Sequence, residues 1–216
     1  DNGQNYEEPK RITEDMPLNA YNMTVDNFET IHIVMQNDAL IPRSTKLKES
    51  IFYTKSLKPY DFTTPKNIDQ TNSLSGNPSL VTDGFRNIYA FWGNNDTTKK
   101  TFDIFGSRSI DIGGIFEAPL NISQTPDNHS VLKSYRQTVG IEHPVEKLYL
   151  LWQELDIINP KESDLYLSES IDLGKGWSNN RLITKKKGEF KDAVIDIASN
   201  GIIIIGITSK ENPETR

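Results

Sequence analysis

The chain of 216 residues contains no cysteine. Disulfide bonds, zinc–thiolate centres and thiol nucleophiles are therefore excluded within it. The sequence also lacks an apolar run approaching the ~20 residues that a membrane-spanning helix requires. Its longest apolar stretch, GIIIIGI at 201–207, has the length of a buried strand. We therefore expect no membrane insertion.

Positive charge is also scarce. Lysine and arginine number 24 against 30 aspartates and glutamates, which gives a net charge of −6 and a pI of about 5.2. Proteins that bind nucleic acid usually carry a basic face, and the only basic run here, at 185–187, is short. Loops such as GNND at 93–96 lack the alternating acids of a calcium loop. The sequence therefore predicts no nucleic-acid partner, no metal and no cofactor.

A helical pattern is missing as well, because no stretch of about ten residues keeps a convincing apolar stripe at helical spacing. The chain instead alternates between two kinds of short segment. Segments rich in Ile, Val, Leu, Tyr, Phe and Trp are separated by clusters of Gly, Asn, Asp and Pro. This pattern is typical of β-strands joined by turns, so we expect an all-β protein.

One motif occurs twice in full. SIDIGGIF at 109–116 and SIDLGKGW at 170–177 both match S-x-D-x-G-x-x-aromatic. Asp111 and Asp172 lie 61 residues apart, and the flanking segments align without gaps over that offset. Self-similarity at a fixed period indicates a repeated structural unit.

Weaker copies lie on either side of these two. The segments between 30 and 69 follow the same order, with Lys58 where an aspartate is expected. The N-terminus begins inside a motif, because Asp1, Gly3 and Tyr6 take its Asp, Gly and aromatic positions. The segments at 193–199 and 201–209 match the first two segments of a further copy.

Each copy contains four strand-like segments over 53 to 61 residues, a period typical of β-propeller blades. We expect a β-propeller of four-stranded antiparallel blades, with about three to four blades present. A fragment of a larger ring, or two chains sharing one ring, are the alternatives to a small closed ring. The predicted divisions are a last strand of a split blade at 1–13, blades at 14–69, 75–124 and 130–185, and the first strands of the split blade at 190–209.

The motif resembles the Asp-box, or BNR repeat, of sialidase-like β-propellers, in the style of secreted archaeal and bacterial Asp-box proteins. In that family the box forms the turn between the third and fourth strands of a blade. A carboxylate at the head of such a turn accepts backbone N–H groups, and a glycine two residues later adopts positive φ. The aromatic residue packs between blades, and the serine ties the strand end to the turn. The predicted structural residues of the two full boxes are Ser109, Asp111, Gly113 and Phe116, and Ser170, Asp172, Gly174 and Trp177.

A catalytic role for the box would need a base beside the serine, usually a histidine. His32, His129 and His143 occupy non-equivalent places, and none accompanies a box. We therefore interpret the box as a scaffold element and expect chemistry, if any, at the opposite ends of the strands. The loops to examine there are 36–48, 69–79, 93–101, 123–133 and 153–163.

The resemblance raises a glycosidase as an alternative. Sialidases use an arginine triad, a Tyr–Glu pair and an Asp acid, and their early Arg-Ile-Pro signature is absent here. Arg108 and Arg181 are expected on sheet surfaces. The remaining ligand candidates are arginines and loop carboxylates, with solvated loop charge as the default reading of the carboxylates: Arg43, Arg86, Arg136, Glu154 and Asp156.

Four aromatic residues recur in register on the second strand of their units: Tyr89, Trp92, Tyr149 and Trp152. They could stack on sugars, but repetition favours packing between blades. The favoured hypothesis is a non-catalytic extracellular or cell-surface propeller that binds a glycan or a protein. Exposed edges of such a propeller could also pair with another chain. The alternative is a sialidase-like glycoside hydrolase acting on glycans, so enzyme activity stays an open question with the balance against it.

Overall fold

A computed structural model describes residues 8, 11–13, 18–40, 47–58, 61–71, 73–96, 101–124, 132–142, 147–156, 163–184, 190–198 and 200–209. Every helix or strand among them is a β-strand, so the described part of the chain is all-β. The strands form four antiparallel sheets that follow one another along the sequence. No helix in this part is long and apolar enough to cross a membrane.

The first sheet has the spatial order β1-β2-β3-β4, and β5 also pairs with β3. The fourth position of this sheet is therefore filled by two short strands rather than one. The strands are β1 (Ala20–Val25), β2 (Ile31–Leu40), β3 (Leu47–Lys58), β4 (Asp61–Phe62) and β5 (Lys66–Asn67).

The second sheet is a four-stranded meander in the order β6-β7-β8-β9. Its inner strand has a register shift between Gly76 and Ser79, and Asn77 there has a positive φ of 52°. This irregularity is a β-bulge, which bends the strand locally. The strands are β6 (Leu74–Thr82), β7 (Ile88–Asp96), β8 (Thr101–Ser109) and β9 (Leu120–Asn121).

The third sheet repeats this meander and the fourth contains two paired strands. The third consists of β10 (Leu132–Glu142), β11 (Lys147–Asp156), β12 (Ser163–Ser170) and β13 (Arg181–Leu182). The fourth consists of β14 (Phe190–Ile197) and β15 (Ile203–Ser209). Four-stranded meanders in series are the blades of a β-propeller.

The first three sheets share a hydrogen bond inside the sheet, beside the fourth strand. In each, a hydroxyl near the end of the third strand donates to a backbone carbonyl at the start of the fourth segment. The donor and acceptor pairs are Thr54 and Thr63 (2.6 Å), Ser107 and Glu117 (2.5 Å), and Ser168 and Ser178 (2.8 Å). The same local chemistry therefore closes each of these sheets.

The sheets stack through their faces, and the inner strands β1, β6, β10 and β14 contact one another in that order. Strand β7 shows how the sequence achieves this. Its alternate residues Ile88, Ala90 and Trp92 enter the core shared with the first sheet, while Tyr89 and Phe91 enter the core shared with the third. Side chains of successive strand residues point to opposite faces, so a continuous apolar run suits a sheet covered on both sides.

Strands β1, β14 and β15 expose apolar side chains on one face. In β1, Tyr21, Met23 and Val25 are at least half exposed, and so are Val194 and Ile204 in β14 and β15. The inward residue Ile195, in contrast, is 9% exposed and packs against the third sheet. The second and third sheets thus bury residues on both faces, whereas β14 and β15 of the fourth sheet bury one face and expose the other.

Candidate functional site

The turn between β8 and β9 is organised by Ser109 and Asp111. Ser109 Oγ donates to Asp111 Oδ1 at 2.6 Å and accepts the N–H of Gly113 at 3.0 Å. Asp111 in turn accepts the N–H of Ile115 at 2.8 Å. Both side chains therefore hold the backbone of their own turn.

The turn between β12 and β13 has the same bonds. Ser170 Oγ donates to Asp172 Oδ1 at 2.8 Å and accepts the N–H of Gly174 at 2.9 Å. Asp172 accepts the N–H of Gly176 at 2.9 Å. The two turns are equivalent in bonding as well as in sequence.

These bonds affect the acidity of both carboxylates. The hydroxyl of Ser109 lowers the pKa of Asp111, with a further contribution from the N–H of Ile115. The N–H of Gly176 lowers the pKa of Asp172, and the hydroxyl of Ser170 adds to this. Hydrogen bonds to the charged form favour it, so both groups stay ionised and accept hydrogen bonds rather than donate them.

Positive φ occurs at two successive residues in each turn. Gly113 and Gly174 have φ of 71° and 79°, as the glycine spacing predicts. The preceding residues, Ile112 and Leu173, have φ of 58° and 61°, which the sequence does not indicate because both are apolar and one is β-branched. Their carbonyls point to the neighbouring sheet, where each accepts a bond from a cation.

Two lysines of the first sheet hold the β8–β9 turn. Lys55 Nζ donates to the carbonyl of Ile112 at 2.6 Å, and Lys66 Nζ donates to the carbonyls of Gly113 (2.5 Å) and Gly114. Burial lowers the pKa of Lys66. Both ammonium groups therefore bind peptide oxygens of this turn.

Arg108 connects the second sheet to the β12–β13 turn. Its guanidinium makes a bidentate pair with Glu117, with both N–O distances at 2.8 Å, and donates to the carbonyl of Leu173 at 2.8 Å. The prediction that Arg108 lies on a sheet surface is wrong, because the residue is 7% exposed. Arg181, also expected at the surface, is exposed.

The motif aromatics pack across the same interfaces. Phe116 lies against Tyr53 of the first sheet with ring centroids 4.8 Å apart, and Trp177 meets Phe91 of the second sheet edge-on at 5.6 Å. Each ring thus contacts the preceding sheet.

Beneath the first of these turns lies a buried polar chain. His32 Nδ1 is 2.6 Å from the hydroxyl of Tyr53, and Nε2 is 3.2 Å from Asp26 Oδ2. Burial lowers the pKa of His32 and raises that of Tyr53. A neutral ring satisfies both contacts, since Nε2–H donates to the carboxylate and Nδ1 accepts the Tyr53 proton. His32 is the one histidine among the described residues, and it bonds to neither motif serine.

The equivalent turn of the first sheet is built differently. Lys58 pairs with Asp61 directly, so β3 and β4 are joined by a short hairpin. Ser56, at the position of the motif serines, accepts the N–H of Ile31 at 2.9 Å instead. The first sheet, which has Lys58 where the motif has aspartate, therefore has a different turn at this position.

The four recurring aromatics are buried: Tyr89, Trp92, Tyr149 and Trp152 are each at most 4% exposed. They fill the cores between sheets, and the structure agrees with the packing interpretation rather than a sugar platform.

The remaining sequence candidates are not brought together within the described part of the chain. Arg86 is exposed beside the β8–β9 turn, where its carbonyl accepts the N–H of Ile112. Glu154 is half-buried on β11. The other candidates lie outside the described residues or, for Arg136 and Asp156, have only their backbone described: Asp1, Gly3, Tyr6, Arg43, Arg136 and Asp156. No group of three or more His, Asp and Glu in the described part could hold a metal ion.

A cleft opens at the opposite ends of the strands, between the first and second sheets. It has a volume of about 230 Å³ and is lined by Gln36 and Glu49 of the first sheet and by residues of β6, β7 and β8. Those of the second sheet include Gly76, Asn77, Asn94, Asn95 and Phe102. Gln36 and Asn94 fall within the ranges 36–48 and 93–101 that the sequence pointed to, but the structure places both in strands, β2 and β7, rather than in loops.

Gln36 bridges the two walls of this cleft. Its Oε1 accepts the N–H of Asn77 at 3.0 Å, and a Cβ at Gly76 would lie 2.8 Å from the same oxygen. Asn94 is fixed from within the second sheet, because Nδ2 donates to Thr71 (3.2 Å) and Ser75 (3.3 Å). Both amides therefore have a set orientation in the lining of the cleft.

Comparison with known proteins supports the fold and leaves the chemistry open. No protein-family model matches the chain, and no curated protein matches it in sequence. The Hadza microbial sialidase Hz136 superposes over 87% of this chain and 42% of its own, with a TM-score of 0.64 and 14% identity. A protein of unknown function from Dyadobacter fermentans covers 92% of this chain and 64% of its own (TM-score 0.67, 16% identity).

A Penicillium chrysogenum alpha-L-arabinanase complexed with arabinobiose covers 86% of this chain and 57% of its own (TM-score 0.57, 9% identity). The chain thus spans about two fifths to two thirds of the length of these three proteins. At such identities the likeness is one of fold, and the chain has the sialidase-like β-propeller fold.

Proposed function

We propose that the chain is a non-catalytic carbohydrate-binding β-propeller whose ligand enters the cleft between the first and second sheets. The observation that carries this proposal is the pair of fixed amides, Gln36 and Asn94, in the lining of a cleft of about 230 Å³. Preset donors and acceptors suit sugar hydroxyls, because a binding site loses less entropy when its polar groups are already held. Two of the structural neighbours, a sialidase and an arabinanase, are carbohydrate enzymes by name.

The two serine–aspartate turns serve in this proposal as scaffold Asp-boxes, and residues 1–6 supply part of another. Their carboxylates are engaged by hydroxyl and backbone groups of the same turn. The aromatic residues of these turns, Phe116 and Trp177, pack against the preceding sheet. An extracellular or cell-surface location fits a glycan ligand and is part of the proposal.

The second candidate function is that of a sialidase-like glycoside hydrolase, which the sialidase among the structural neighbours favours. Two features speak for binding instead. Arg108 is committed to Glu117 and Leu173, so it is not a ligand for a substrate carboxylate. Hydrolysis of a glycoside uses two carboxyl groups across a cleft, and Glu49 is the one acid among the described lining residues.

A glycan array followed by calorimetry tests the proposal. The wild-type chain should bind at least one oligosaccharide class, and Asn94→Ala should weaken that binding about tenfold, the effect of losing one or two hydrogen bonds. Asn22→Ala, an exposed change on β1, is the matched control and should bind normally. Turnover of a fluorogenic sialoside, with linear product formation and loss on a cleft mutation, would establish the hydrolase instead.

A further inference from the structure

We infer that the cleft selects neutral sugar residues and rejects carboxylated ones such as uronic or sialic acids. This inference rests on the proposed carbohydrate-binding function and assigns its ligand class. It separates the chain from a sialidase, whose substrate carries a carboxylate.

The charge of the described lining is negative. Glu49 is the single charged side chain among the described residues that line the cleft. It is half-buried on β3, and no described cation forms an ion pair with it. A carboxylate on the ligand would meet this uncompensated charge at close range, where repulsion is only partly screened by water.

Three cations of these two sheets are engaged at the opposite ends of the strands. Lys55 and Lys66 hold the carbonyls of the β8–β9 turn, at the other ends of the strands. Arg108 forms an ion pair with Glu117, also near the β8–β9 turn. Recognition of a carboxylate usually depends on a positive group, with arginine preferred for its two parallel donors. The described part of the cleft supplies no such group.

The hydrogen-bonding groups suit hydroxyls. Gln36 uses Oε1 for the N–H of Asn77, which leaves Nε2 as a donor toward the cleft. Asn94 uses Nδ2 for Thr71 and Ser75, which leaves its amide oxygen as an acceptor. A hydroxyl both donates and accepts hydrogen bonds. Neighbouring sugar hydroxyls can therefore accept from Gln36 and donate to the Asn94 amide oxygen or the Glu49 carboxylate.

The shape of the cleft limits the ligand to a small unit. Its volume of about 230 Å³ falls below the roughly 300–1,000 Å³ of pockets that enclose drug-sized molecules. The β-bulge at Asn77 and the absence of a side chain at Gly76 let Gln36 cross between the sheets and close one side. Phe102 is half-buried in the wall and offers apolar surface to the C–H face of a ring.

A matched pair of ligands tests the inference. The probes are the best neutral oligosaccharide from the array and the same compound with its terminal C6 oxidised to a carboxylate. Calorimetry at low salt should show the neutral compound binding about tenfold more tightly. Glu49→Gln keeps a side-chain oxygen as an acceptor but removes the charge, so it should shrink that ratio several-fold.

The control for this change is Glu29→Gln, which removes the same charge at the opposite ends of the strands, in the β1–β2 turn. It should leave the ratio as in the wild type, and both variants should keep the wild-type melting temperature. Equal or tighter binding of the carboxylated compound, or an unchanged ratio in Glu49→Gln, would overturn the inference alone. Binding of no glycan at all would overturn the proposed function, and the inference with it.

Discussion

Gly113 and Gly174 occupy the same position of their turns, yet a methyl group would meet different surroundings at each. Both have φ near 75°, where any other residue is strained. A Cβ at Gly113 would overlap the phenol of Tyr53 in the first sheet. A Cβ at Gly174 would lie 3.4 Å from Leu148 and Tyr89, an ordinary contact. The two sites therefore separate backbone strain from steric overlap.

Replacing each glycine by alanine should destabilise the protein to different extents. Gly174→Ala should cost about 1–2 kcal/mol, the strain of a non-glycine residue in the left-handed region. Gly113→Ala should cost about 1–3 kcal/mol more, because the turn must also move away from Tyr53. Chemical denaturation of the two variants and the wild type measures this. Equal losses of unfolding free energy in the two variants would show that the β8–β9 turn can move away from Tyr53 without destabilising the protein.

At this scale the sequence predicts the serine, aspartate and glycine geometry well, because those side chains act within their own turn. It does not predict the left-handed conformation of Ile112 and Leu173, because apolar side chains do not favour positive φ. Nor does it predict the burial of Arg108, which depends on a carbonyl of the following sheet. Contacts that cross sheets are set by geometry beyond the local sequence.

At the scale of elements, the β1–β2 turn and β3 are joined by the chain Asp26–His32–Tyr53. Asp26 also accepts the N–H groups of Phe28 and Thr30, both at 2.9 Å, so one carboxylate organises the turn and holds the imidazole. Strand spacing and the four-segment repeat made the sheets themselves predictable. The split of the outer strand into β4 and β5 was not, because it follows from the short hairpin after Lys58.

The buried imidazole should make stability sensitive to acid. Burial lowers the pKa of His32 below its ordinary value of 6.5, so the unfolded chain binds this proton more readily than the folded protein. Neutral His32 contributes fully to the free energy of unfolding above about pH 6.5. This contribution is lost as the pH falls toward the pKa of His32 in the folded protein, and it does not decline further below that pKa.

His32→Gln keeps hydrogen-bonding groups at this position but cannot titrate. Between about pH 8 and pH 5 the wild type should lose more unfolding free energy than this variant, as measured by urea denaturation at each pH. Parallel losses in the two proteins would mean that His32 gains its proton as easily in the folded state as in the unfolded one.

For the whole molecule, each sheet depends on its immediate neighbours. The second sheet shares one core with the first and another with the third, whereas the fourth covers the third with one face and exposes Val194 and Ile204 on the other. Stability in such a series is close to a sum of sheet and interface contributions. Opening should therefore begin at the fourth sheet, where Val194 and Ile204 are exposed on one face.

Hydrogen exchange followed by mass spectrometry should show a gradient along the chain. Amides of β7, between two cores, should exchange most slowly, and those of β14 and β15 should exchange at least about tenfold faster, because one interface protects them instead of two. Uniform protection across all four sheets would contradict this and indicate a single cooperative unit.

The closing bonds inside the sheets have a consequence for how such a chain changes over evolutionary time. The bonds from Thr54, Ser107 and Ser168 lie wholly within one sheet, so a duplicated gene segment would encode a sheet that closes itself. The contacts between sheets, in contrast, use unlike residues, such as Lys66 at one turn and Arg108 at the next. Substitutions after duplication would thus accumulate at the contacts between sheets. Each sheet would keep its shape, while each pair of neighbouring sheets acquired its own set of contacts.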